Sequence, residues 1–322
     1  MDPRLAAELA ALDGSDEDVV AALYRLVLRR EPDDEARDRS LAKLAEGTLS
    51  RATLIHELAA SEEHRRVREL DDAVALGVGA RARGERLQWL QAPHADERVV
   101  EIPWVLSRLR TGRVLEVGYA FAERPYLAAL LRSGIELVGV DLARLDVEGM
   151  ETVEADVRAL PFPDGSFDQV LLVSTLEHIG ADNTVYGVEG EREDGRVAAL
   201  RELRRVVRGD GSLLVTVPLG EPGDHGWFRQ EDVEGWTALY GSTDWFVEEA
   251  EAYELGEEGW RANPSFEAAG VRYGERGPAA SAVLCAELSP GRLRHLLTPG
   301  GMRKATRRRA ARTYRRVRPH DL

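Results

Sequence analysis

The sequence is poor in the features that mark secreted or membrane-spanning chains. It has a single cysteine, Cys285, so no intrachain disulfide can form, and the apolar run AVLCAEL around it predicts a buried strand thiol. No apolar run reaches about 18 residues, the length that a spanning helix needs. The acidic start, MDPRLAAELAALDGSDED, lacks the basic and then apolar order of a signal peptide. We therefore expect a cytoplasmic protein.

Charge is distributed unevenly along the 322 residues. The formal net charge is −14, yet residues 303–318 hold nine Lys or Arg and no acidic residue. An acidic body argues against nucleic acid as the main partner. The basic run could contact an anionic membrane surface or RNA, but it lacks a wide apolar face, so a solvated helix or a disordered tail is the simpler interpretation.

The first part of the chain predicts a small all-helical domain. Asp16–Arg29 carries apolar residues at helical spacing, Ala36–Ala45 follows after a Pro-containing break, and Ser50 is a plausible cap for a third helix. Residues 67–97 are polar, hold Gly and Pro, and predict a linker with some helix. ERVVEIPWVLSRL at 97–109 predicts an amphipathic helix interrupted by Pro103.

Short apolar runs that end in polar or small residues then predict buried parallel strands of an α/β sheet. They are Val114–Val117, Leu137–Val140 and Val170–Val173, with a short strand at Thr152–Glu154 between the last two. Ligands bind outside the carboxyl ends of such strands. The polar residues at these ends therefore predict a nucleoside-binding site with reactive groups beside it.

Apolar runs later in the sequence predict the rest of the sheet. We predict a helix over Arg196–Arg208 ended by Gly209–Gly211, and strands at Ser212–Val217, Trp245–Ala250 and Ser281–Leu288. The connection 218–244 is too long for a bare connector. We expect it to hold a helix near Glu231–Tyr240 and part of the substrate site.

The segment Val99–Leu288 resembles class I S-adenosylmethionine-dependent methyltransferases, and several of these residues carry the resemblance. Glu116 and Gly118 match the first strand-to-helix turn of that family, Asp141 matches the acid after its second strand, and Asp156 with Val157 matches the Asp before its fourth. The runs LPFPDGSFDQV and RELRRVVRGDGSLLVTVP are also similar. The resemblance implies a Rossmann-like, seven-stranded, mostly parallel sheet with helices on both faces, preceded here by the small all-α domain.

The N-terminal pattern YRLVLRREPD with GTLSRATLIHELAASEEH is similar to a helical module of unknown function. That module is often attached to bacterial enzymes of surface-glycan synthesis and to secreted repeat proteins; a generic helical extension is the alternative. We predict four segments: the module at 1–66, the linker at 67–97, the methyltransferase domain at 98–290 and a basic tail at 291–322.

The resemblance implies S-adenosylmethionine as the cofactor. Asp141 would accept both ribose hydroxyls, with a helix cap as the alternative role. Asp156 would bind the adenine amine, with a solvated loop acid as the alternative. The predicted cofactor-binding residues are Glu116, Gly118, Tyr119, Asp141, Leu142, Asp156, Val157 and Ser174.

The first turn departs from the family pattern, because GYAFA at 118–122 has one glycine where the family has several. Ala120 and Ala122 permit close approach of a ligand, but they adopt positive φ less readily than glycine. Either the turn has a different shape or binding is weaker. The missing glycines also count against NAD, whose pyrophosphate needs a close backbone.

Two histidines are candidate catalytic bases that remove the proton of an attacking hydroxyl. His178 follows the fourth strand, and His225 lies in a loop after the fifth; a structural role or a contact with the cofactor edge is the alternative for His178. Glu177, Asp182, Asn183 and Tyr186 offer polar contacts to a hydroxylated acceptor. Asp182 with Glu177 or Asp224 could instead hold a divalent cation.

The sequence thus predicts an S-adenosylmethionine-dependent methyltransferase, with O-methylation of a sugar, glycan or other small hydroxylated acceptor as the first hypothesis. A small-metabolite or quinone methyltransferase is the alternative within the class. Outside it, the chain could be a glycan-assembly factor that keeps the fold without activity, or, more remotely, a nicotinamide oxidoreductase.

Overall fold

The computed structural model describes residues 14–93, 95–184, 194–266, 270–277 and 279–290. The chain divides into two compact units, Met1–Asp72 and Ala73–Leu322.

The first unit is helical. Its helices are α1 (Asp16–Leu23, continued by a π turn at Tyr24–Leu28), α2 (Asp34–Ala45), α3 (Arg51–Ala60) and the start of α4 (Glu62–Ala82). Ser15 and Ser50 cap α1 and α3, since their hydroxyl oxygens accept backbone N–H groups three residues on. The predicted helices are therefore present, and their apolar faces form a small core that includes Val19, Val20, Leu23, Leu54, Ile55 and Leu58.

In the described part of the second unit, nine strands form one sheet in the order β1-β10-β9-β11-β6-β5-β2-β3-β4. The strands of the chain are β1 (Gln91–Ala92), β2 (Arg113–Val117), β3 (Glu136–Asp141), β4 (Glu151–Glu154), β5 (Phe167–Val173), β6 (Val207–Pro218), β7 (Gly223–Asp224), β8 (Arg229–Gln230), β9 (Trp245–Gly256), β10 (Gly259–Ala262) and β11 (Ala282–Pro290). Strands β7 and β8 form a separate antiparallel pair.

The parallel part of the sheet consists of β4, β3, β2, β5 and β6. β2 lies at its centre, paired with β3 on one side and β5 on the other, and Leu115, Val138 and Val170 of these strands are fully buried. Strands covered on both faces need continuous apolar runs, which is the pattern that predicted them. The Rossmann-like, mostly parallel sheet with flanking helices is confirmed.

The predicted number of strands, seven, is too low. All seven predicted strands occur, with β11 antiparallel between β6 and β9, but β10 and β1 extend the described sheet beyond β9. Strand β10 has four residues and β1 has two, which is too short for the alternation of apolar and polar residues that marks a strand. In addition, β1 lies in the segment 67–97 that we predicted as a linker. Gly209–Gly211 also differs from the prediction, because α7 ends at Val206 and these residues belong to an irregular start of β6.

The second unit's helices lie close to their predicted positions: α5 (Arg98–Ser107), α6 (Arg124–Leu131), α7 (Arg196–Val206) and α8 (Val233–Ser242). Residues Val99 to Ser107 of α5 are all buried. Cys285 is buried in β11 as predicted, and burial raises the pKa of its thiol well above the ordinary value. Among the helices that the structure describes, none is long and apolar enough to cross a membrane.

The buried guanidinium of Arg108 ties the end of α5 to the sheet. Its Nη2 donates to Glu249 at 2.8 Å and to Glu251 at 3.2 Å, both on β9. Its Nη1 donates to the carbonyl oxygen of Leu87 at 2.7 Å, and the guanidinium lies 3.9 Å from the ring centroid of Trp104. Removing one partner of such a buried pair leaves an uncompensated charge. Arg108 therefore helps to fix where α5 lies on the sheet.

We expect the substitution R108M to lower the free energy of unfolding by about 3–5 kcal/mol, because Glu249 and Glu251 lose their buried counter-charge. Urea unfolding measures this change. The matched control is R83M, which removes an exposed ion pair with Glu85 at 2.9 Å and should cost at most about 1 kcal/mol. A loss for R108M as small as that of the control would contradict the anchoring role.

Candidate functional site

A cavity of about 570 Å³ opens at the carboxyl ends of β2, β3 and β5. This is the edge at which parallel α/β sheets bind ligands, and the volume falls within the roughly 300–1,000 Å³ of small-molecule sites. Arg98 and Ile102 of α5 form part of its wall. The helix predicted at 97–109 therefore contributes to the wall of the cavity.

Gly118 holds the first strand-to-helix turn in shape. Its φ is 88°, in the left-handed region where side chains are strained. Its N–H donates to the carbonyl oxygen of Val140 at 2.9 Å, and a Cβ added at Gly118 would lie 2.7 Å from Oγ1 of Thr175. A glycine is therefore required at this position.

The positions where the family pattern has further glycines do not require them here. Ala122 has an ordinary φ of −67°, and Ala120 lies inside the short 3₁₀ turn Tyr119–Phe121. The Ala120 N–H donates to Oδ2 of Asp141 at 3.1 Å, which joins the first turn to the end of β3. The departure seen in the sequence is thus a different turn shape.

The placement of Tyr119 corrects one prediction. Its side chain is fully buried, with the ring against Gly139, and within the described residues it does not line the cavity. The hydroxyl donates to the carbonyl oxygen of Leu145 at 2.9 Å and accepts its N–H at 3.1 Å. The 3₁₀ turn directs the phenol into the core, where it supports the loop after β3.

Asp141 closes β3 and lines the cavity, as does Leu142 after it. Its Oδ2 accepts the Ala120 N–H, and its Oδ1 accepts the Ala143 N–H at 3.2 Å. These bonds fix the carboxylate, and each oxygen retains a further lone pair for a ligand donor. Partial burial raises the pKa of Asp141 above its ordinary value.

Asp156 and Val157 line the same cavity. Burial alone would raise the pKa of Asp156, but hydrogen bonds from Arg158 outweigh it and hold the pKa below its usual value. Arg158 donates from Nη2 to Oδ2 of Asp156 at 2.6 Å and from its backbone N–H to Oδ1 at 2.8 Å. Asp156 is thus an ionised carboxylate whose position Arg158 sets.

Glu116 lies at the floor of the cavity, with 2% of its surface exposed. The hydroxyl of Tyr126, from α6, donates to its Oε2 at 2.9 Å. Burial raises the pKa of Glu116 to about 8, which the bond from Tyr126 only partly offsets. The predicted acid of the first turn is therefore a neutral carboxylic acid at pH 7.

Ser174, at the end of β5, has a φ of 42°, a left-handed conformation rare for a residue with a side chain. Its N–H donates to the carbonyl oxygen of Thr216 at 3.1 Å, and its hydroxyl donates to the two carboxylate oxygens of Glu101 at 2.9 and 3.0 Å. Backbone strain of this kind persists where surrounding contacts enforce it, often at functional sites. Ser174 lines the cavity as predicted.

A second cavity of about 260 Å³ adjoins the first. The two share Arg98, Glu123, Ser174 and His178. The second cavity is further lined by acidic and aromatic side chains, chiefly Glu97, Glu177, Trp227, Phe228 and Tyr273. Glu177, predicted as an acceptor-binding residue, therefore lies at this second cavity.

His178 stands where the cavities meet. Its Nδ1 is 2.8 Å from the carbonyl oxygen of Trp227, and because a carbonyl only accepts, Nδ1 carries the proton and Nε2 is the basic nitrogen. Burial lowers the pKa of His178 to about 4, so the ring is neutral at pH 7. Nε2 lies 3.8 Å from Oε1 of Glu177.

The other predicted acceptor and catalytic residues are placed less favourably. In the described part of the chain, His225 stacks on Phe228 with ring centroids 4.5 Å apart and lines neither cavity. Asp182 accepts from Thr184 within its own turn and is also absent from both walls. Asn183 lines the first cavity, and Tyr186 lies outside the described residues.

The structure offers no support for the cation site that we considered. Among the residues described, no group of three His, Cys, Asp or Glu side chains is placed to hold a metal ion. Asp224, one of the proposed ligands, lies 3.5 Å from Nε of Arg229.

Several wall residues were not singled out from the sequence. Trp227 and Phe228 belong to the connection 218–244, which we expected to hold part of the substrate site, and Arg98 belongs to the helix predicted at 97–109. Tyr273 and Glu97 carry no local signal. They reach the second cavity only through the fold.

Two protein families match the chain. Residues 115–215 match the family described as "Methyltransferase domain", and residues 4–67 match one described as "Domain of unknown function (DUF4214)". The first match covers β2 to β6 with the turns that line the first cavity. The chain therefore contains a class I S-adenosylmethionine-dependent methyltransferase domain, and S-adenosylmethionine is its cofactor.

A ubiquinone/menaquinone biosynthesis C-methyltransferase from Hahella chejuensis (strain KCTC 2396) is 30% identical over 120 residues, which are 37% of this chain and 42% of that protein. The chain thus spans about two-fifths of the length of that relative.

Solved structures resemble the chain weakly. One is a Burkholderia thailandensis 1,6-didemethyltoxoflavin-N1-methyltransferase with bound 1,6-didemethyltoxoflavin and S-adenosylhomocysteine, at a TM-score of 0.41 and 15% identity over 86% of this chain and 91% of that one. Another is the [4+2]-cyclase SpnF, at a TM-score of 0.43 and 15% identity over 69% and 94%. Likeness at this level says nothing of activity or substrate.

The titration of Glu116 should be visible in the stability of the protein. Glu116 has a pKa of about 8 in the fold against an ordinary 4.5, so the unfolded state loses its proton first and stability falls as pH rises between these values. E116Q keeps an acceptor for Tyr126 and removes the titration. Its advantage in free energy of unfolding should therefore grow with pH, by up to about 1.4 kcal/mol per unit.

Urea unfolding of both proteins across this pH range measures the difference. The exposed loop substitution E148Q is the matched control and should show no such trend. If the difference in free energy of unfolding between E116Q and the unsubstituted protein stays constant across this pH range, Glu116 titrates like a solvated carboxyl group.

Proposed function

We propose that this chain transfers the methyl group of S-adenosylmethionine to a hydroxyl of a small acceptor, with a sugar, glycan or other polyhydroxy compound as the preferred class. One observation carries the proposal. The cavity at the strand ends and the acidic, aromatic cavity beside it share the wall residues Arg98, Ser174 and His178. Molecules bound in the two cavities would meet at these residues.

The first cavity fits the cofactor by its donor and acceptor set. The fixed carboxylate of Asp141 suits a pair of ribose hydroxyls, and Gly118 lines the same cavity. Asp156 and Val157 would lie at the adenine, as the family resemblance implies. When bound, S-adenosylmethionine supplies a methyl group activated by a sulfonium centre.

His178 is the base that we propose for the acceptor hydroxyl. The Trp227 carbonyl orients the ring and makes Nε2 the nitrogen that accepts a proton. A pKa of about 4 keeps that nitrogen unprotonated at neutral pH but also makes it a weak base, so it accepts the proton only as the hydroxyl oxygen becomes acidic in forming its new bond. As the hydroxyl oxygen forms its bond to the methyl carbon, its proton would pass to Nε2. Positioning the hydroxyl beside the methyl group supplies much of the acceleration in a displacement of this kind.

A small-metabolite or quinone acceptor is the second candidate. The aromatic rings of Trp227, Phe228 and Tyr273 and the match to the Hahella chejuensis C-methyltransferase favour it. Against it stand the carboxyl groups of Glu97 and Glu177 in the same cavity, since an apolar ring would leave them without hydrogen bonds. The acidic wall therefore favours a polar acceptor.

The alternatives without methyl transfer are less well supported. An inactive glycan-assembly factor was suggested by the first turn, but Gly118 occupies the position that needs glycine. A nicotinamide oxidoreductase would need the glycines of the dinucleotide fingerprint, which the turn lacks. A shift in NADH fluorescence on adding the protein would revive that option.

The glycan context rests on the N-terminal unit, which matches a domain of unknown function and which the sequence predicts to resemble modules attached to surface-glycan enzymes. We further propose a cytoplasmic location, from the single cysteine. The basic residues 303–318, outside the described part, are proposed as a peripheral contact with anionic membrane. Mass spectrometry of cell-envelope sugars from a deletion strain would identify the acceptor.

The substitution D141A should weaken cofactor binding, because each charge-assisted hydrogen bond to a ribose hydroxyl contributes about 1.5–3 kcal/mol, or roughly 10- to 150-fold in Kd. Calorimetric titration with S-adenosylmethionine measures the change. D141N keeps the shape of the side chain but removes its charge, so its affinity for S-adenosylmethionine should lie between those of D141A and the unsubstituted protein. The exposed substitution D146A is the control; unchanged affinity in D141A would refute the ribose role.

The substitution H178A should lower kcat by about 10²–10⁴-fold if His178 is the base. Release of S-adenosylhomocysteine in the presence of the acceptor measures turnover. H225A is the matched control, since His225 lines neither cavity in the described structure, and it should retain near-normal turnover. The reverse result would transfer the role to His225.

A further inference from the structure

Two buried carboxyl groups at the second cavity have hydrogen-bonding capacity that the protein does not use. Glu97 is 7% exposed and Glu177 is 3% exposed, and both line this cavity. Within the described residues, Oε2 of each has no hydrogen-bond partner. Buried carboxyl oxygens are costly to leave without a donor. Both oxygens are covered as the side chains now lie, so a rotation of each carboxyl group toward the cavity would let the donors of a ligand satisfy them.

The ionisable side chains around this cavity are mostly acidic. Asp96, Glu97, Glu123 and Glu177 line the second cavity, together with Arg98. The guanidinium of Arg98 is already engaged by Glu101, at 2.6 Å. An anionic acceptor such as a phosphate or carboxylate would meet repulsion here, whereas a cation would be attracted.

The remaining wall is aromatic. The ring centroids of Trp227 and Phe228 are 4.7 Å apart, and those of Phe228 and Tyr273 are 4.4 Å apart. The faces of such rings attract cations, most strongly when water is excluded. His225 covers one face of Phe228, and His178 covers one face of Trp227. The remaining aromatic surface and the carboxyl groups together form a binding environment for an organic ammonium group.

We propose that the second cavity recognises an acceptor that carries a protonated amine beside its hydroxyl groups, with the ammonium held by Glu177 and Glu97 against the aromatic wall. This inference rests on the proposed function, because it names the substrate class of the same site. We therefore expect the site to bind an amino sugar or another cyclic amino alcohol more tightly than a neutral polyol or an acceptor linked to phosphate.

The protonation of the carboxyl groups agrees with this assignment. Burial raises the pKa of Glu177 well above its ordinary value and that of Glu97 to about 7. An entering ammonium group favours the ionised carboxylate and supplies up to three donors. A neutral hydroxyl can supply one donor but no compensating charge. The site therefore gains more from an amine than from a hydroxyl.

The test compares matched probes without turnover, in the presence of S-adenosylhomocysteine. The probes are methyl glucosaminide and 2-aminocyclohexanol, each paired with the neutral analogue in which a hydroxyl replaces the amine. Calorimetric titration of the full-length protein gives the affinities. We expect each ammonium probe to bind at least about 10-fold more tightly than its partner, which is about 1.4 kcal/mol.

E177Q and E97Q should each reduce this preference, while E148Q, an exposed loop substitution outside both cavities, should leave it unchanged. Two isosteric variants keep the test valid if one fails to fold. Equal binding of charged and neutral probes, or a preference that survives both substitutions, would overturn the proposal. Cofactor binding is measured separately, so loss of the amine preference is distinguishable from failure of the methyltransferase assignment.

Discussion

The hydrogen bonds between Ser174 and Glu101 join the end of strand β5 to helix α5. Residues of both elements line the two cavities. Glu101 is a fully buried carboxylate on α5, and it also accepts from Arg98 at 2.6 Å. A buried charge is tolerated only when paired and hydrogen-bonded. These contacts fix α5 over the end of β5, and thereby place Arg98 where the two cavities meet.

Burial of other acids has a different consequence. Glu116, Glu97 and Glu177 lack a cation close enough to offset the loss of water, so burial raises the pKa of each. Glu116 has the Tyr126 hydroxyl as a donor. Glu97 and Glu177 each keep an oxygen without a donor in the described structure. The same low-dielectric environment thus keeps the floor of one cavity neutral at pH 7 and leaves the other with carboxyl oxygens that a ligand could use.

The sequence predicted the elements well and the directions of side chains less well. Apolar runs located the strands β2 to β6, and the residues that follow them, such as Gly118 and Asp141, line the predicted cavity. Tyr119 was assigned to the cofactor but points into the core, because a 3₁₀ turn follows Gly118. His225 was a candidate base but stacks on Phe228. Local turn geometry decides such orientations, and residue order alone does not encode it.

The sequence by itself determined the class of fold and the position of polar residues at strand ends. These follow from local periodicity. Only the tertiary structure decided that Glu97, Glu177, Trp227 and Tyr273 share one cavity. They come from distant parts of the chain. Their meeting depends on strand order and on where α5 is anchored, which no local pattern specifies.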